Sequence, residues 1–122
     1  PPARLLPLLE RINGAYLFWH GFHTPVQTPP RSSLGNRIDA LFVEAIEAIS
    51  AAAFLSREEK LPYVRLAARK IDALKVLLMM LWESDSLENK KYIEISERMD
   101  EIGKMLGGWQ GQLRKHSSNR PE

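Results

Sequence analysis

His20 and His23 stand three residues apart, a spacing at which one helix face can offer two imidazoles to a metal ion. No third ligand accompanies them, and the chain has no cysteine to supply a thiolate, so ordinary loop histidines are the simpler reading. The acid pairs Asp100–Glu101 and Glu58–Glu59 fit solvated helix faces or helix starts better than general acid–base work. Serine and histidine occur, but there is no G-x-S-x-G elbow. The glycines from Gly103 to Gly111 lack the Lys-Ser/Thr and the preceding strand of a phosphate loop. A di-iron bundle needs inward Glu-x-x-His motifs, and none is present. The residues therefore predict no catalytic group, no metal and no cofactor.

The basic residues have more to offer. Arg65 and Arg69 lie one helical turn apart, with Lys75 a little further round the same outer side. Arg37, Lys104, Arg114 and Lys115 add positive charge elsewhere. In a single copy this is ordinary solvated surface, with i to i+4 pairing to acids such as Asp72. In an assembly each patch recurs, and phosphate binding strengthens steeply with the number of charges engaged. Without an aromatic-studded sheet or a recognition motif, such a surface would grip the backbone of RNA or DNA with weak sequence preference. A formal net charge of +2 and a pI near 9.1 permit that partner without demanding it.

Four amphipathic segments must position these residues. The first, from about Pro2 to Phe22, turns Leu5, Leu8, Leu9, Ile12, Tyr16 and Trp19 to one face, with Pro7 tolerable in the first turn. "HTPVQTPPRSS" follows as a long connection whose prolines forbid helix. The second helix, about Ser33 to Phe54, carries Leu34, Ile38, Leu41, Phe42, Ala45, Ile49 and Ala52. "SREE", Ser56 to Glu59, is a capping-box pattern, while Pro62 predicts that the third helix starts there or kinks.

The third helix runs to about Ser84 over Tyr63, Ala67, Ile71, Leu74, Leu78 and Leu81. Its "VLLMMLW", Val76 to Trp82, is apolar all the way round and must be covered all the way round. We read a subunit interface through Val76, Met79, Met80 and Trp82, the alternative being scattered exposed Val76 and Met79 on a monomer. "ESDSLE" is a tight break with Asp85 and Ser86 as cap candidates and Glu88 at the positive helix start. The fourth helix has the seam Tyr92, Ile95, Met99, Ile102, Leu106, Trp109 and Leu113. Beside that seam Gly103, Gly107 and Gly111 form a row of their own, smooth enough for another backbone to approach; the alternative is that they let the last turns fray or bend.

The fold class is all-α: one antiparallel, up-down-up-down four-helix bundle over residues 1–115, with a polar, frayed tail at 116–122. The chain starts at Pro1 rather than Met, which points to a trimmed N-terminus. The absence of cysteine suits a reducing cytoplasm, and no apolar run is long enough for a membrane span.

"LGNRIDALFVEAIEAI" after the Pro-rich loop, and above all "MDEIGKMLGGWQGQL", resemble the accessory variability determinant (Avd) family of diversity-generating retroelements. The resemblance covers roughly Tyr16 to Lys115, and "EIGKMLGGW" is its most specific run. It implies a homopentameric barrel of bundles with a basic surface and no catalytic role. Its partners would be a reverse transcriptase and nucleic acid, supporting mutagenic copying of a template RNA into cDNA. Lys75 aligns with one of the family's basic positions on the third helix, whereas Met79 stands where related proteins can have Arg. The wider group includes bundles encoded in ribosomal-RNA intervening sequences. The alternative reading is therefore a self-associating bundle of that type without a polymerase partner.

Overall fold

The computed structural model describes residues 5–22 and 29–118. They form α1 (Leu5–Phe22), α2 (Pro29–Ala53), α3 (Arg57–Glu83) and α4 (Asn89–Ser118), with no strand among the described residues. The helices pack as a four-helix bundle: α2 against α3, α3 against α4, and α1 against both α2 and α4. α1 and α3 stand diagonally across the core, as do α2 and α4. No described helix is long and apolar enough to cross a membrane.

One apolar stripe per helix builds the core. Leu8, Ile12, Ala15 and Trp19 of α1 meet Ile38, Leu41, Phe42, Ala45, Ala48, Ile49 and Ala52 of α2. Val64, Ala67, Ile71, Leu74, Leu78 and Leu81 of α3 repeat in steps of three and four, as do Ile95, Met99, Ile102 and Leu106 of α4. Burying each larger side chain contributes about 1.5–3 kcal/mol, which outweighs weak local propensities. No polar or charged side chain is buried among the described residues.

Several local expectations change. α2 begins at Pro29, not Ser33, because prolines are tolerated in a first turn, where an amide has no intrahelical acceptor. The remainder of the Pro-rich connection, 23–28, lies outside the described residues, His23 included. α3 begins at Arg57 and passes through Pro62, which is exposed, so the missing hydrogen bond falls on the solvent side. Val64 replaces Tyr63 in the core: it fits the three–four register of Ala67 and Ile71, and Tyr63 falls beside it, exposed.

The helix ends differ too. Ser56 is the N-cap of α3, but its hydroxyl donates to Glu59 Oε1 at 2.8 Å instead of accepting from the Glu59 amide. That amide donates to the Ser56 carbonyl at 2.9 Å. Asp85 closes α3 rather than capping α4. With φ of 59° it takes the left-handed conformation, its amide donating to Trp82 O and the Ser86 amide to Leu81 O, each at 3.0 Å. This paired bonding is a Schellman ending. Glu88 then starts α4, its carbonyl accepting the Tyr92 amide at 2.9 Å. α4 continues to Ser118, past the Lys115 boundary read from the sequence.

Candidate assembly and nucleic-acid interface

Along the outside of α3, Arg65, Arg69, Asp72, Val76 and Met80 follow one another in steps of three and four, all exposed. The run Val76 to Trp82 divides by helical phase. Leu78 and Leu81 enter the core and Leu77 packs against its edge, while Val76 (51%), Met79 (38%) and Met80 (45%) face solvent. Trp82 behaves differently from its three neighbours. Its indole stacks on Tyr92, with centroids 4.7 Å apart and planes 8° from parallel, and its Nε1 donates to Asn89 Oδ1 at 2.7 Å. Trp82 therefore clasps α3 to α4 within the chain and leaves only part of its surface outside.

Lys75 joins this strip to the glycine row. Its Nζ lies 3.3 Å from Asp100 Oδ1, and a Cβ built on Gly103 would come within 3.2 Å of that same Nζ. The side chain of Lys75 thus lies across Gly103. Val76 follows it directly and Met79 comes one turn later, so the apolar patch on α3 borders the Lys75–Gly103 contact. Among the described residues, a Cβ on Gly107 or Gly111 would meet nothing within 4 Å. The row is therefore open; no helix of the same chain packs closely against those two positions.

The basic residues divide by element. Arg65, Arg69, Lys104 and Arg114 are exposed and form no ion pair among the described residues, and Lys115 is exposed beside Arg114. Lys75 is held by Asp100, a partly exposed pair weak enough to exchange for a phosphate. Arg37 stands apart on α2, 3.2 Å from Glu44, which also accepts Lys70 of α3 at 2.8 Å. Chiefly through the Lys70 hydrogen bond, with the charges of Lys70 and Arg37 adding, the Glu44 carboxyl is held below its ordinary range. The structure thus gathers the α3 and α4 cations on neighbouring helices and leaves Arg37 outside that set.

Clefts elsewhere offer little chemistry. Between α1 and α4 an apolar cleft of about 330 Å³ is lined by Pro7, Leu8, Met105, Gly108 and Trp109. A charged cleft of about 300 Å³ lies among Arg11, Glu94, Glu97, Arg98 and Glu101. There Arg11 pairs with Glu101, Arg98 pairs with Glu94 at 3.3 Å, and the Arg98 guanidinium sits 5.0 Å from the Phe18 ring centroid. Among the described residues no three His, Asp or Glu side chains converge as a metal site. His20 is exposed with its ring 5.8 Å from that of Tyr16.

Compared with known proteins, the chain matches no family model, no curated protein and no solved structure.

Two exposed aromatics escaped the reading of the sequence. Phe54, the last residue assigned to the second helix there, lies just past the end of α2 and is 91% exposed. Tyr63 is 41% exposed. The signal was present: after Ala45, Ala48, Ile49 and Ala52, position 54 falls on the far side of the helix.

Proposed function

We propose that this chain is a non-catalytic adaptor of the Avd type. Its helices run antiparallel, up-down-up-down, and its copies assemble into a homopentameric barrel. That barrel holds a reverse transcriptase and the RNA or DNA backbone together in the cytoplasm during mutagenic copying. The observation that carries the reading is the outer side of α3, where exposed Val76, Met79 and Met80 lie beyond Asp72 from exposed Arg65 and Arg69, which form no ion pair among the described residues.

Connections of three residues between α2 and α3 and five between α3 and α4 support the antiparallel arrangement. So do the contacts of Lys60 with the last carbonyls of α2 and of Trp82 with the start of α4. Exposed apolar surface on α3 and an open glycine row on the neighbouring α4 suit a second copy. A closed ring then repeats each modest cationic patch and multiplies the phosphates it engages. Such contacts hold a strand in place without reading its bases, which is what a general template platform requires.

The test is titration of labelled RNA at several salt concentrations, comparing the wild type with Arg65→Glu/Arg69→Glu/Lys75→Glu. The triple variant should bind more weakly and with a flatter salt dependence. Equal affinity and equal slope would reject this surface. A protein that keeps a multi-chain mass but binds neither RNA nor reverse transcriptase would favour the self-associating bundle of the intervening-sequence type.

A further inference from the structure

Of the α3 and α4 cations that the nucleic-acid reading uses, Lys75 is held by an acid of the neighbouring helix. Its Nζ reaches from α3 to within 3.3 Å of Asp100 Oδ1 on α4. Asp100 has another candidate on its own helix, because Lys104 stands four residues on, where one turn brings opposite charges together. Lys104 is nevertheless exposed and forms no ion pair among the described residues. Asp100 is thus committed across to α3 rather than along α4.

The same ammonium rests over Gly103. A Cβ built there would stand 3.2 Å from Nζ and 3.8 Å from Cε of Lys75. The first distance is closer than an ordinary contact, so a side chain at 103 would push the ammonium aside. Gly103 differs in this from Gly107 and Gly111, where a Cβ would meet nothing within 4 Å among the described residues. Glycine weakens a helix interior relative to alanine, and at 103 that loss makes room for Lys75. Two groups therefore shape one seat: the carboxylate supplies charge and the missing side chain supplies space. The seat is shallow. The Lys75 side chain is 37% exposed and that of Asp100 65%, so water and salt screen the pair and it opens readily.

We infer that Asp100 and Gly103 hold Lys75 back from nucleic-acid phosphate and so set how tightly this face grips a strand. The inference rests on the nucleic-acid reading above and adds a restraint to it. Lys75 can turn to a phosphate only by leaving Asp100, whose carboxylate is then left unpaired beside the polyanion. That carboxylate attracts a cation from solution as the phosphate releases one, so the exchange frees few ions net. Arg65 and Arg69 have no ion-pair partner to leave among the described residues, and each contributes in full. The restraint acts chiefly on dissociation, since Asp100 takes its lysine back as soon as the strand loosens. A strand that is let go easily is one that can advance while it is being copied.

The test uses the full chain and a labelled single-stranded RNA, with affinity and dissociation rate measured at several salt concentrations. Asp100→Asn should bind about two- to five-fold more tightly than the wild type, through slower dissociation. Its salt slope should be steeper by up to about 0.7. In a Lys75→Gln background the same substitution should leave affinity and slope nearly unchanged. Gly103→Ala alters no charge and crowds the ammonium off its seat; it too should tighten binding, and only when Lys75 is present. Wild-type binding in Asp100→Asn or in Gly103→Ala would overturn the seat while leaving the adaptor reading standing. So would an equal gain with and without Lys75, which would assign the effect to the lost negative charge alone. Weaker binding in Asp100→Asn, with a lower melting temperature, would overturn it in favour of a plain tie between α3 and α4. A wild type that binds no RNA at all would remove both readings together.

Discussion

Asp85 holds the one positive φ recorded for a non-glycine residue among the described positions, at 59°. A left-handed conformation costs an L-residue about 1–2 kcal/mol, less for Asp or Asn and nothing for Gly. Asp85→Gly should therefore stabilise the chain by about 0.5 kcal/mol, after the extra unfolded-state freedom of glycine is offset. Denaturant unfolding that shows a loss of stability would mean that the carboxylate itself holds the turn. Glu44 makes a pH-dependent prediction. Its folded-state pKa is depressed by Lys70 and Arg37, so its stabilisation is present above the unfolded carboxylate value and lost as pH falls through the folded one. Glu44→Gln should cost about 0.5–1 kcal/mol at neutral pH, and the gap to wild type should narrow as pH falls below the ordinary glutamate range. A gap independent of pH would assign the loss to packing.

At the scale of the helix, α4 carries a stripe and a vacancy side by side. Ile95, Met99, Ile102 and Leu106 bury the stripe, and Gly107 and Gly111 leave space outside that no described residue fills. Each glycine weakens the helix by about 1 kcal/mol relative to Ala, a cost the packed seam outweighs. In the proposed assembly that space admits a neighbouring backbone. Gly107→Leu should keep or raise helix content and lower the particle mass in light scattering; an unchanged mass would place the row in solvent.

The helical stripes were legible because a period of 3.6 residues is written into Ile38 to Ala52 and Ile71 to Leu81 without competing signals. Helix ends were less so. The prolines at 29 and 30 read as a barrier although a first turn accepts them, and Asp85 read as an N-cap although it ends the preceding helix. Trp82 was legible as apolar, but its partner was not. Stacking on Tyr92 depends on the turn that joins the two helices, and periodicity contains no such information. The basic residues could be named from the sequence, whereas the separation of Arg37 from the α3 and α4 set depends on which helices are neighbours.

For the whole molecule, the described core is wholly apolar, and the chemistry available lies on its outside. That outside is uneven: an uncovered apolar patch on α3, open glycines on α4, cations toward the start of α3, and acids at and beyond its end. In the proposed function assembly is the property on which the rest depends, since a closed ring multiplies the cations that one copy presents to a polyanion. The decisive measurement is the solution mass by light scattering, for the wild type and for Val76→Glu/Met79→Glu. The wild type should have a mass of five times 13.9 kDa, and the double variant should fall to 13.9 kDa with its helix content retained. A wild type at 13.9 kDa, or a double variant whose mass does not change, would contradict the account.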